Sequence, residues 1–306
     1  MWRLALAVLT AVAICVAPAP AALAGGVVSF ERQGGAAAKR AIEEYWTPQR
    51  MRAARPLEGV LADRGEVRIR RGSKQPLNHP AAFESGQVAD PASFPNTVNG
   101  RVFGRLPGFG GYSCSGTVVD APSHRVMMTA GHCVTERGYG TATKLAFVPA
   151  YDRGARPFGT WVFDRIVAQR AWRRNTNFNF DFAAVSMSRR DGVALQDAVG
   201  GVPLAINLPV EQTYVATGYP SNRSDGEVMW RCTAPFDGFD PRPLPNGPQP
   251  IAIGCDMGEG ASGGGWQVNG SLNSVSSFGY QDHPDVLYGP YFGSKALQVY
   301  NAVANG

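Results

Sequence analysis

The stretch GCDMGEGASGGGW, residues 254–266, sets one serine, Ser262, among six glycines, with Cys255 and Asp256 just ahead. Glycine loses more conformational entropy on folding than any other residue, so such a run needs a steric reason. Three kinds of site supply one. A phosphate cradle needs bare amides, a nucleophile elbow needs a sharp turn, and an oxyanion hole needs amides aimed at a developing charge. The segment 258–263 fits G-x-G-x-x-G, but GGWQVNGSLNSV follows, which reads as strand and turn rather than the helix of a dinucleotide site. GASGG fits G-x-S-x-G, but in that elbow the acid and histidine come after the serine. Here 44 residues remain, with His283 as their one histidine. The third reading stands: Gly260 and Ser262 would aim their N–H groups at a tetrahedral oxygen.

The chain has 306 residues, with 37 Gly, 23 Pro and only 17% charged side chains, a turn-rich globular composition. From residue 96 onward, short apolar runs bounded by Gly, Pro, Asn and Asp read as strands. TVNGRVFG, SCSGTVVD, RVMMTAG, TKLAFVPA, TWVFDRIVA, FAAVSMS, TYVATGY, VMWRCTA, GWQVNG and LNSVSSFGY belong to this set. Their roughly ten-residue spacing predicts an all-β barrel or sandwich. SKALQVYNAVANG has helical periodicity and predicts a C-terminal helix.

Ahead of these strands the composition changes. Arg3, the apolar run Leu4–Val16 and Ala22-Leu23-Ala24 read as a signal peptide over 1–24, with Cys15 lost on cleavage. The expected product is secreted, with no stable membrane insertion. Residues 25–95 hold no cysteine. They combine a short amphipathic helix, AAAKRAIEEYW, with an arginine-rich stretch, and read as a propeptide cut at Arg70-Arg71 or before Phe94. The domain proper is expected over 96–306. The formal charge of +5 resides mainly in the leader: residues 91–306 carry 17 basic and 16 acidic side chains. That balance leaves no electrostatic footprint for nucleic acid.

Two further segments carry chemistry. TAGHCV, 129–134, places His132 beside Cys133 at a strand end, which fixes the backbone of a potential general base. NFNFDFAAV, 177–185, flanks Asp181 with aromatics, and a desolvated carboxylate needs a partner such as an imidazole. Cys114, Cys133, Cys232 and Cys255 make an even set in an exported chain and admit three disulfide pairings. No Cys-x-x-Cys or His-x-x-x-His spacing suggests a metal site.

CSGTVV, TAGHC, FDFAAV and GASGG, in the order His, Asp, Ser, resemble the trypsin/chymotrypsin-like serine proteases over about residues 96–306. TGYP at 217–220 and CDMGEGASGG make the chain most similar to the bacterial glutamyl-endopeptidase-like branch. The resemblance implies two packed antiparallel six-stranded β-barrels with a C-terminal helix. It implies a monomeric endopeptidase acting on proteins or peptides through His132, Asp181 and Ser262, with no cofactor. It implies the sequential disulfides Cys114–Cys133 and Cys232–Cys255. It places the specificity pocket at Asp256, Ser276, Ser277 and Gly279. Asp256 would favour arginine or lysine before the cut, and Ser276, standing where a glutamate-binding histidine is expected, argues against glutamate. One departure is Ala261, which occupies the position of the aspartate that pairs with a new N-terminus in trypsin relatives.

Overall fold

A computed structural model describes residues 26–58, 82–242 and 245–306. The signal-peptide reading and the Arg70-Arg71 cut lie outside the described residues. Strands β4 (Asn99–Arg105), β5 (Gly111–Val118), β6 (Val126–Thr129), β9 (Thr143–Pro149), β10 (Trp161–Gln169) and β11 (Ala183–Met187) follow the apolar runs of the sequence. They form one ladder, β10-β11-β6-β5-β4-β9, and β9 pairs back to β10, closing a six-stranded barrel. The two-stranded ribbon of β7 (Thr135–Glu136) and β8 (Gly140–Thr141) stands outside it.

The second half contains β12 (Thr213–Gly218), β13 (Trp230–Phe239), β14 (Ile251–Gly254), β15 (Gly265–Val268), β16 (Ser271–Val275), β17 (Phe278–Tyr280) and β18 (His283–Gly289). Their order is β16-β15-β12-β13-β14-β18-β17. The ladder is open between β16 and β17, which are successive pieces of one run interrupted at Ser276-Ser277. A C-terminal helix, Ser294–Ala304, turns Ala296, Val299 and Val303 onto the first barrel's core. Both disulfides take the sequential pairing, Cys114–Cys133 in the first half and Cys232–Cys255 in the second.

Residues 26–58 and 82–95 also carry regular structure. β1 (Val27–Glu31) adds to the free side of β10, and the expected amphipathic helix spans Gly35–Tyr45. After a short helix, Pro48–Arg52, the two-residue β2 (Arg55–Pro56) pairs parallel with β5 at Tyr112 and Ser113. β3 (Glu84–Gln87) pairs with β13, so the stretch just before residue 95 is laid against the second sheet.

One buried charge pair joins the halves. Arg101, on β4, is 1% exposed and binds Glu227, in the segment between β12 and β13. The Tyr151 hydroxyl donates to the same carboxylate at 2.8 Å. Removing one partner of a buried pair strands the other charge. Glu227→Ala is therefore expected to cost about 3 kcal/mol in denaturant unfolding. A loss below about 1 kcal/mol would show that Arg101 finds another partner.

Candidate active site

The site lies on the seam between the halves. His132 follows β6, Asp181 follows a short 3₁₀ turn at Phe178–Phe180 and precedes β11, and Ser262 lies in the loop between β14 and β15. All three are buried, at 3%, 0% and 7% exposure.

The Asp181 carboxylate is the hub. It accepts the His132 backbone N–H at 2.8 Å on Oδ1 and Nδ1–H at 2.7 Å on Oδ2. Oδ2 also accepts the Ser277 hydroxyl at 2.5 Å. These bonds fix the ring's orientation and its tautomer, leaving Nε2 for chemistry. Trp172 packs near the ring, with centroids 6.0 Å apart, and anchors its own Nε1–H on Thr135 O at 2.8 Å.

The Ser262 loop is held against β5. Ser115 N–H donates to Ser262 O at 2.7 Å, and Ser115 Oγ donates to Gly260 O at 2.8 Å while accepting the Tyr219 N–H at 2.9 Å. The Gly265 N–H reaches Thr117 Oγ1 at 3.0 Å. Two glycines are required here. Gly260 has φ +90°, and a Cβ on it would lie 2.8 Å from Tyr219 O. Gly263 has φ +82°, and a Cβ on it would lie 2.1 Å from Thr129 Oγ1. The amides of Gly260 and Ser262 donate to no acceptor among the described residues. Buried N–H groups are ordinarily paired, so two spare ones beside a hydroxyl suit an incoming anion. Ala261 is fully buried with Tyr214, Ala216 and Trp266, an apolar setting that offers no carboxylate to an N-terminal amine.

A cleft of about 290 Å³ opens beside Ser262, walled by Phe178, Met257, Phe278, Tyr280, Val286 and Leu287, with His283 among its polar members. Ser277 and Gly279 line it. Asp256 and Ser276 do not. The Asp256 carboxylate turns to Arg223 and to the Ser85 hydroxyl of β3, because a half-buried carboxylate is best satisfied by a guanidinium within reach. Ser276 is buried and its Oγ accepts the Trp266 Nε1–H at 3.0 Å.

Sequence reasoning missed Glu58, which enters from the leader. The Ser262 hydroxyl donates to Glu58 Oε1, and that oxygen is 3.4 Å from His132 Nε2. This is an ion-pair distance, and Nε2 has no hydrogen-bond partner among the described residues. No motif marks Glu58; it stands in an arginine-rich stretch as one acid of several.

Charge follows this geometry. Burial lowers the His132 pKa, but the charge and hydrogen bond of Asp181, then the nearby carboxylate charge of Glu58, outweigh it and raise the value to about 9. Burial raises that of Glu58, and the nearby His132 charge with the Ser262 hydrogen bond outweighs it, so the net shift is downward. The histidine's contribution to stability is complete below its ordinary 6.5 and is lost as pH rises through about 9. With residues 26–58 in place, the ¹⁵N resonances of His132 should titrate with a midpoint near 9. A midpoint at the ordinary value would contradict the paired geometry.

The trypsin family model matches residues 84–295. Protease Anisep of Arthrobacter nicotinovorans is 31% identical, with a TM-score of 0.63 over 70% of this chain and 99% of that one. The thermostable serine protease AL20 of an extremophilic microorganism is 33% identical, with a TM-score of 0.62 over 68% and 97%. A Glu endopeptidase, 19% identical at a TM-score of 0.58 over 75% and 98%, shares the fold. A curated relative, the extracellular metalloprotease of Bacillus subtilis strain 168, is 24% identical over 163 residues, 53% of this chain. The chain spans about half the length of that relative, 50% by the matched residues. Both groupings of metal-type donors among the described residues rely on disulfide-bonded cysteines, whose sulfurs are not thiolates. With the family match covering more than two thirds of its length, and the seam between a closed barrel and its partner sheet holding Ser262, His132 and Asp181, the chain belongs to the trypsin family.

Proposed function

We propose that the protein is an exported serine endopeptidase that hydrolyses protein or peptide substrates through Ser262, His132 and Asp181. One observation carries the reading: a buried carboxylate fixes both N–H groups of His132, while the amides of Gly260 and Ser262 donate to no acceptor among the described residues. In the working state His132 Nε2 takes the Ser262 proton as Oγ attacks the scissile carbonyl carbon. The developing oxyanion receives the Gly260 and Ser262 N–H groups. His132 then passes its proton to the leaving amine as the C–N bond breaks, leaving an acyl ester on Ser262. Water, deprotonated by the same imidazole, releases the acid and restores the hydroxyl. Export accords with the two disulfides and with the signal-like N-terminus. The family match and the pairing of β3 with β13 support a catalytic unit that includes Glu84 onward, ahead of the start at residue 96 expected from sequence.

The cleft also bears on substrate choice. Asp256 is neutralised by Arg223 outside it, and the walls are mainly apolar and aromatic. The preference expected is for a medium apolar or aromatic residue before the cut, in place of the arginine or lysine inferred from sequence.

Ser262→Ala and His132→Ala should each lower turnover by about 10⁶, with the double variant little worse, because the groups act as a unit. Near-normal activity in purified Ser262→Ala would refute the assignment. On matched peptides varied only before the cut, Asp256→Ser should leave the preference unchanged. Loss of an arginine preference in that variant would return Asp256 to the pocket.

A further inference from the structure

The trypsin-relative route to latency is closed to this chain, because Ala261 supplies no carboxylate for a new N-terminus. The leader offers another. Residues 26–58 run from β1, on the far side of the first barrel, to the candidate catalytic centre, and they are anchored along the way. β1 makes a five-residue antiparallel ladder with β10. Arg32 donates to Phe163 O at 2.8 Å and pairs with Asp164 at 2.7 Å. Trp46 is buried against Phe103, with its Nε1–H on Lys144 O at 2.6 Å. Met51 and Leu57 are fully buried. The parallel pairing of Arg55-Pro56 with β5 then delivers Glu58 to Ser262.

What arrives at the nucleophile is a side-chain carboxylate. It carries no leaving group and is a poor electrophile, so Ser262 cannot be acylated by it. It takes the hydroxyl proton of Ser262 in a hydrogen bond, and it sits 3.4 Å from the Nε2 that should receive that proton. A general base needs a hydrogen bond to the group it deprotonates, and here Nε2 has none.

We propose that residues 26–58 are an intramolecular inhibitor, bridging Ser262 and His132 through the Glu58 carboxylate, which stays docked when the chain is cut downstream of Glu58. The proposal rests on the serine-peptidase reading of Ser262. Cutting alone then does not activate the enzyme, since the ladder on β10 and the buried Trp46, Met51 and Leu57 do not depend on continuity with residue 84. Activation requires the fragment to leave or to be digested.

The test compares full-length wild type, Glu58→Ala and Ser262→Ala with a fluorophosphonate serine reagent, alongside melting curves. Loss of a charge-assisted hydrogen bond that competes with reaction should make Glu58→Ala label roughly ten- to a hundredfold faster than wild type. Ser262→Ala should not label. Equal rates in wild type and Glu58→Ala, with Ser262→Ala unlabelled, would overturn the inhibitor and leave the peptidase reading standing. Labelling of Ser262→Ala at the wild-type rate would overturn both. Should Glu58→Ala melt abnormally, a wild-type chain with an inserted cleavage site between residues 59 and 81 decides. After cutting, the fragment should co-elute with the remainder on gel filtration, and labelling should rise once it is stripped by mild denaturant and refiltration. Separate elution of the fragment directly after cutting would overturn the proposal.

Discussion

The site depends on how the Ser262 loop is fastened to β5. Ser115 does this with three hydrogen bonds, two to carbonyls of the Ser262 loop and one from Tyr219 in the second half. β5 is also the strand that carries Cys114, whose disulfide partner follows His132. A single strand of the closed barrel therefore sets the positions of Ser262 and His132. The arrangement is stiff because it is dry: β5 is buried from Tyr112 to Val118, and each broken bond would leave a polar group without water.

The two halves contribute unequal things. The closed barrel supplies His132 and Asp181 from β6 and the approach to β11, and the second sheet supplies Ser262 and the cleft walls. Asp181 crosses the seam by accepting Ser277 from the interruption between β16 and β17. That interruption leaves the second ladder open, and there the Ser277 hydroxyl reaches Asp181. The carboxylate thus orients the imidazole and pins the second half at the same time.

Much of this was legible in the sequence, and the limits have physical causes. The apolar runs that alternate or stay buried gave most barrel strands, and the motifs around His132, Asp181 and Ser262 depend on local residue types that spacing exposes. IAIG and HPDVLYG passed unread as strands; Pro284 and Asp285 break the alternation of the second. The destination of Asp256 was not readable, because its partners, Arg223 and Ser85, are 33 and 171 residues away. Glu58 was invisible for the same reason, with 204 residues separating it from Ser262. Long-range polar pairing is fixed by tertiary packing, on which a local pattern is silent.

The proposed pairing of Ser262 with His132 once Glu58 is gone is tested by a crystal structure of the chain freed of residues 26–58. The expected result is Ser262 Oγ within hydrogen-bond reach of His132 Nε2, roughly 2.6–3.2 Å, with Asp181 still bound to Nδ1. A freed enzyme in which the two groups stay out of reach, with the loop on β5 intact, would contradict it.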